Sequence, residues 1–336
     1  METKMKTFIP ACMAIALIVA LALAFACPQE AMAKVNPWGS GTSYNENTKT
    51  LTVKSGKRTI KTLSKTYKGK YYYFEKLVIK GGTTKLNVES GYLRSLKVSK
   101  GKLTSSKPVM ISDYMSVSGG TVSIASSKRY TNALYVMDDL TVTGGKVTAK
   151  STKEGGPALY VAGDMRLKKG SVTAITKGKG SNGLTVSGFL KVNSGALKVS
   201  TSGKSSTAIH VYGDITMSKG TINASANRGK AIQCYDLLKV TGGKVSAKAA
   251  NGEMAIYSGE APNVKPSCLG SIRGILCEGM KFMKNGVTYR VSSNFKLEVE
   301  VVKGKTSAAS VSFGGVTYDI APKLAAESKL AAVSIA

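Results

Sequence analysis

Between about residues 75 and 262 the apolar and polar positions alternate in short bursts. Aligned on a shared glycine, the units read NALYVMDDLTVTGGKVTAK, PALYVAGDMRLKKGSVTAI, NGLTVSGFLKVNSGALKVS, TAIHVYGDITMSKGTINAS and KAIQCYDLLKVTGGKVSAK. Each holds three alternating segments, of the types Leu134-Tyr135-Val136, Leu140-Thr141-Val142 and Val147-Thr148-Ala149. A period of two predicts half-buried strands with the aliphatic residues inside. Turn formers separate them: Gly-Asp at 163–164 and 213–214, Gly-Gly at 144–145 and 242–243, and a looser polar loop such as Ser151–Gly156. The glycines Gly82, Gly101, Gly120, Gly145, Gly170, Gly195, Gly220 and Gly243 recur at gaps of 19, 19, 25, 25, 25, 25 and 23 residues. A fixed period of this size marks stacked structural units. Three strands and three turns per unit, each strand pairing with its equivalent one unit away, predict an all-β, single-chain parallel β-helix. It should have about eight three-strand coils rising about 4.8 Å each, roughly 40 Å in all. Right-handed crossovers are the general rule for such connections. A β-propeller or an array of hairpins would need longer blades or antiparallel two-residue turns.

The flanks do not follow the beat. Residues 34–74 carry a hairpin-like TSYNENTKTLTV and the cluster Tyr71-Tyr72-Tyr73-Phe74, and are expected to cap one end, because an open solenoid end exposes core and strand edges. Residues 75–262 are the helix proper. Residues 263–336 carry the half-repeats NGVTYRV (285–291) and FGGVTYDI (313–320), expected to form a small β module at the other end, with a short helix over Lys323–Leu330.

Residues 1–33 read as a signal peptide: a basic start at Lys4 and Lys6, an apolar run Ala11–Ala26, and a small-residue site Ala31-Met32-Ala33. The chain is therefore expected to be secreted, free or held at the cell surface, with no transmembrane segment in its mature part. Cys27 lacks the flanking residues of a lipidation site. The 336-residue chain has a formal net charge of +29, and only 7 of its 48 basic residues are arginine. Lysine-rich surfaces attract polyanions as diffuse point charge, whereas bidentate recognition favours arginine. For an exported chain that points to anionic glycans, cell-wall polymers or anionic lipid surfaces rather than nucleic acid. Lysine also protects strand edges and aids solubility. Among the later cysteines, Cys268–Cys277 is the expected disulfide in an oxidising compartment, and Cys234 sits in an apolar column.

The pattern A-[LI]-x-V…G-D-[LI]-T-[VM]…G-G-[TK]-V-x-A, as in ALYVMDDLTVTGGKVTAK and AIHVYGDITMSKGTINAS, resembles the repeats of secreted bacterial carbohydrate-binding β-helix proteins. It covers about residues 108–262 and more weakly 75–107. The resemblance implies a right-handed parallel β-helix, pectate-lyase-like in shape, that binds glycans; some members take calcium and acidic polysaccharide. This chain is more basic and lacks a dense acidic cluster. The GVTY units resemble short β modules on surface proteins of Gram-positive gut bacteria.

In a stack, each sequence column becomes a line of side chains. The first-strand middle position places Tyr135, Tyr160, Thr185, His210, Gln233 and Tyr257 in an expected outward strip, where rings can stack on sugar C–H faces and polar groups hydrogen-bond. The same rings could instead only brace neighbouring coils. The second-strand column holds Lys97, Ser116, Thr141, Arg166, Lys191, Thr216 and Lys239, and the third strand adds Lys146, Lys150, Lys198, Lys244 and Lys248. Like charges one coil apart repel, which points to an anionic ligand for Arg166, Lys191 and Lys239. The turn before the second strand carries Asp113, Asp138, Asp139, Asp164, Asp214 and Asp236, interrupted by Phe189. Stacked oxygen-rich turns can hold calcium, with Asp138, Asp139 and Asp164 the candidate ligands; aspartate is equally a turn former.

Catalytic signals are sparse. His210 is the only histidine, no G-x-S-x-G motif accompanies it, and the carboxylate pair of a glycosidase is not evident. The resulting expectation is a secreted, non-enzymatic carbohydrate-binding protein whose partner is an anionic polysaccharide or cell-wall polymer. A β-helical polysaccharide lyase or hydrolase, and a structural surface protein or adhesin binding other proteins, stay open beside it.

Overall fold

The computed structural model describes residues 36–89, 91–301 and 310–320; the N-terminal segment with Cys27 and the helix expected at Lys323–Leu330 lie outside them. The chain winds as a parallel β-solenoid with three faces. Face 1, of nine strands, runs from Gly91–Leu93 to Ile275–Leu276 and holds Leu134–Val136 and its equivalents. Face 2, of eleven strands, holds Leu140–Val142, and face 3, of ten, holds Lys146–Ser151. The register repeats without slip through the middle coils: Leu134 pairs with Leu159, Leu140 with Met165, Val147 with Val172. The alternation read from the sequence is the observed burial, with Leu134, Val136, Leu140, Val142, Val147 and Ala149 all fully buried. Each large aliphatic side chain so placed contributes about 1.5–3 kcal/mol.

The glycine beat marks the corner between faces 2 and 3. Gly170 adopts φ +87°, and a Cβ there would lie 2.5 Å from the Gly145 carbonyl oxygen of the coil below. That carbonyl accepts a hydrogen bond from the Ser171 N–H at 3.0 Å, so the corner is a tight backbone ladder with no room for a side chain.

The two coil lengths differ at the corner between faces 3 and 1. In the short coils the face-3 strand spans four residues, Lys102–Ser105; in the long ones it spans six or more, as in Thr121–Ser126, before a longer loop. These polar loops are tied coil to coil. The Gly155 N–H donates to Ser181 Oγ (2.8 Å), the Ser181 N–H to Ser206 Oγ (3.1 Å), and the Thr207 N–H to Asn182 Oδ1 (3.0 Å). The looseness expected from composition is thus absent, because buried serine hydroxyls satisfy the backbone of the neighbouring loop.

Coil pairing extends beyond 75–262 at both ends. Thr50–Val53 already pairs in parallel with Lys76–Ile79, and Lys57–Ile60 with Thr83–Leu86. The true cap is the strand Thr42–Asn45, laid antiparallel on Thr50–Val53, and the hairpin Ser64–Tyr67/Lys70–Tyr73. Trp38 meets Tyr44 at 4.7 Å and Phe74 at 5.4 Å, closing the core end with aromatic rings. At the far end the last coil runs on to Leu276. The two half-repeats then form antiparallel hairpins, Lys281–Lys284/Val287–Val291 and Ser310–Phe313/Val316–Asp319. Phe282 stacks on Phe313 at 4.2 Å, and the buried Tyr318 hydroxyl accepts from the Leu276 N–H at 3.1 Å, docking the module on the solenoid.

The expected Cys268–Cys277 disulfide is not formed. Cys268 ends a turn before a face-3 strand, Cys277 follows a face-1 strand, and both are buried free thiols, as is Cys234. Burial pushes the Cys234 and Cys277 thiols up to about 11, which keeps them protonated and inert.

Candidate binding faces

On face 1 the register lines up Tyr92, Met110, Tyr135, Tyr160, Thr185, His210, Gln233 and Tyr257, one per coil. The strip is continuous, but it does not simply project outward as expected. Tyr135, Tyr160, His210 and Tyr257 are half-buried, and Thr185 and Gln233 are buried at 7% exposure. Around His210 the next outward position, two residues on, supplies Tyr212 and Tyr235. Their rings stack on each other at 5.3 Å, and His210 packs 4.8 Å from Tyr212 and 5.4 Å from Tyr235. Burial, with Lys230 nearby, lowers the His210 pKa and keeps the ring neutral. Tyr235 also meets Tyr257 edge-on, and Lys230 Nζ lies 4.7 Å above the Tyr257 ring. Lower on the strip Tyr135 and Tyr160 are stacked at 4.9 Å, and the Tyr160 hydroxyl is hydrogen-bonded to Ser187 Oγ (3.0 Å).

Each end of this face opens into a hollow. One, of about 340 Å³, is walled by Tyr92, Met110, Tyr130 and Tyr135, with Lys128 and Asn132 as polar groups. The other, of about 430 Å³, lies between the last coil and the C-terminal module and holds Tyr257, Glu260, Glu278, Arg290, Asn294 and Phe295. Sequence reasoning missed Tyr92, Met110, Tyr130, Tyr212 and Tyr235. The period-two rule, carried one step past the strand, would have found Tyr212 and Tyr235.

The aspartate turns form the corner between faces 1 and 2, and the carboxylates of Asp113, Asp139, Asp164 and Asp214 are engaged. Asp139 Oδ1 accepts from the Asp164 N–H (2.8 Å), Asp164 Oδ1 from the Phe189 N–H (3.0 Å), and Asp214 Oδ1 from the Leu237 N–H (3.0 Å), each one coil on. The second oxygens of Asp139 and Asp164 take the two arms of Arg166, at 2.6 and 2.8 Å. Arg166 in turn lies 4.6 Å from the Phe189 ring centroid. Arg166, expected as a free ligand-binding cation, is therefore a clamp across three coils. Asp139 and Asp164, expected as calcium ligands, serve it, while Asp138 is exposed. Among the described residues no group of three or more His, Cys, Asp or Glu is placed to hold a metal. Lys191 and Lys239 do come together: they flank Thr216 on face 2 and line a shallow hollow of about 320 Å³ with Asn193 and Thr241.

Basic residues are interleaved rather than stacked. On face 3 Lys57, Lys102 and Lys146 are separated by Thr83 and Thr121, and Lys198 lies between Thr173 and Asn223. The coil-to-coil repulsion expected from the columns is thus largely relieved, with Arg166–Lys191, Lys204–Arg228 and Lys248–Arg273 as direct like-charge neighbours. Across the cross-section, however, charge is segregated. The aspartates occupy the corner between faces 1 and 2, and Glu89, Glu154 and Glu253 the corner between faces 3 and 1. The glycine corner carries the exposed Lys54, Lys80, Lys100, Lys168, Lys169 and Lys219, and Lys57, Lys102, Lys146 and Lys244 stand at the first position of face 3. From Lys54 to Ala249, neither that corner nor face 3 bears an aspartate, a glutamate or an aromatic residue.

The fold defines the class of protein: a capped parallel β-solenoid with chemically distinct faces. Comparison with protein-family models, curated proteins and solved structures finds no match to this chain. No helix of the described residues is long and apolar enough to cross a membrane.

Proposed function

We propose that this is an exported, non-catalytic carbohydrate-binding protein that holds an extended glycan along face 1. The observation that carries the reading is the line of one side chain per coil from Tyr92 to Tyr257, in which Tyr92, Tyr135, Tyr160, His210 and Tyr257 supply rings, with an open hollow at each end. Rings fixed by coil-to-coil stacking present flat apolar surface at little entropic cost, and Lys128, Asn132, His210 and Lys230 border them with polar groups. Acidic substituents on the glycan would meet Lys191 and Lys239 in the face-2 hollow, the remaining pair of the expected basic sites. The resemblance of the repeats to secreted carbohydrate-binding β-helices supports the same conclusion, with anionic polysaccharide or wall polymer as the partner class.

The test is a glycan panel of neutral and acidic polymers against the wild type and Tyr135→Ala/Tyr160→Ala. Loss of two stacked rings should weaken binding about tenfold, at roughly 0.5–1.5 kcal/mol per ring contact. Unchanged affinity would make the ladder a bracing device only. A second reading, polysaccharide cleavage, rests on Glu260 and Glu278 both lining the hollow beside Tyr257; release of new reducing ends or unsaturated products across the same panel would favour it.

A further inference from the structure

We propose that the glycine corner is a docking track for a linear phosphodiester polymer of the cell-wall type, running along the solenoid axis and separate from the ring-stacking face. Four observations carry this. First, from Lys54 to Ala249 the corner and face 3 bear no acidic residue, so the fields of successive lysines add instead of cancelling. Second, the cations form a line. From Lys54 to Lys244 most coils place a lysine at the corner or at the first position of face 3, on a backbone ladder that rises about 4.8 Å per coil. That spacing suits a polymer carrying a charge in every repeat unit.

Third, the track has no aromatic side chain, and the shallow face-2 hollow that reaches it through Asn193, Ser218 and Thr241 has none either. A partner recognised there is read by charge, not by its rings. Single-stranded nucleic acid binding relies on stacking platforms, which the track lacks. A phosphodiester-linked polyol chain has its charge in the backbone and no ring to stack. Lysine, a compact cation on a flexible stem, tolerates such a mobile chain better than the rigid arginine fork. Fourth, the ion pairs lie elsewhere: Lys70–Glu46, Arg94–Asp113, Lys107–Glu89 and Arg166 with its two aspartates are all off the corner. The corner lysines therefore have no carboxylate partner in these ion pairs, and their charge is open to a polyanion. The inference does not depend on the carbohydrate reading of face 1.

The experiment measures binding of the purified protein to poly(glycerol phosphate) over a salt series, beside polygalacturonate, poly(dT) and a neutral glucan. The variant is Lys100→Gln/Lys102→Gln/Lys146→Gln/Lys168→Gln/Lys169→Gln. All five side chains are exposed, and the far-UV spectrum and Tm check the fold. The charge-matched control is Lys61→Gln/Lys68→Gln/Lys153→Gln/Lys179→Gln/Lys296→Gln, also exposed and off the track. The expected result is at least a tenfold loss of poly(glycerol phosphate) affinity in the track variant. The slope of log K against log salt should fall by about 3.5, at roughly 0.7 for each of the five lost contacts. The control should stay within about twofold of the wild type on the additivity of distant surface sites. Equal losses in the two variants would reduce the effect to net charge and overturn the proposal. So would absent binding, or tighter binding of polygalacturonate or poly(dT) at matched charge. Loss of neutral-glucan binding in the track variant would overturn it too, by merging the two surfaces into one.

Discussion

Faces 1 and 3 are built on the same coils, with the same inward Leu, Val, Ile and Ala, yet their outer surfaces are chemical opposites. Face 1 gathers the rings of Tyr92, Tyr135, Tyr160, Tyr212, Tyr235 and Tyr257; face 3 and its glycine corner have lysines and no ring. The difference shows what a solenoid allows. Because the core is satisfied by the inward alternation alone, each outward column is free to specialise, and a short repeat can support two surfaces that do not share a residue. Face 1 is interlocked by ring contacts between coils, and Thr185 and Gln233 in its column are buried. Face 3 is open, its lysines kept apart by threonine and serine.

The largest effect should come from breaking what the two faces share. Gly170→Val puts a β-branched residue at φ +87° and a Cβ against the Gly145 carbonyl. The cost of left-handed backbone plus the clash is about 2–4 kcal/mol, or a Tm lower by roughly 5–15 °C. Both binding activities should be lost together in thermal inactivation; loss of one alone would show the faces to be less coupled through the corner than their common ladder implies.

A smaller effect is expected from Arg166→Gln, which removes the clamp between Asp139 and Asp164. The pair is partly exposed, so the loss should be about 1 kcal/mol or less in stability, read by denaturant titration. Because Arg166 is held by its own aspartates, the salt dependence of polyanion binding should not move. A clear fall in that dependence would return Arg166 to the ligand-binding set.

The subtlest test concerns the buried side of face 1. The His210 pKa is lowered in the folded state by burial and by Lys230. The unfolded chain therefore binds the proton more readily, and stability contributed by the neutral ring is complete above the ordinary histidine value near 6.5 and drains away as pH falls below it. Between pH 7.5 and 5.5 the wild-type Tm should fall more than that of His210→Gln. Parallel curves would show His210 to be solvated rather than enclosed by Tyr212 and Tyr235.

Much of the architecture is legible from alternation and glycine spacing, because a stacked coil translates sequence directly into position. Thr141, Arg166, Lys191, Thr216 and Lys239 stand in the predicted line for that reason. The ends were harder: Thr50–Val53 and Leu269–Arg273 pair as coil strands without the glycine signal, their register set by the neighbour already in place. Aspartate in a turn also reads alike whether it holds a cation, caps the next coil or pairs with Arg166.

By itself, then, the sequence determined the period, the inward and outward sides of each strand, and the corner where only glycine fits, since these depend on local alternation and backbone sterics. The tertiary structure decided which outward groups are free. Contacts with the neighbouring coil set His210 against Tyr235, join Asp139 to Arg166, and give the Asp164 carboxylate to the Phe189 N–H. They also leave the glycine corner as an unpaired line of lysines. Those outcomes depend on what lies one coil away, a neighbour that only the wound chain supplies.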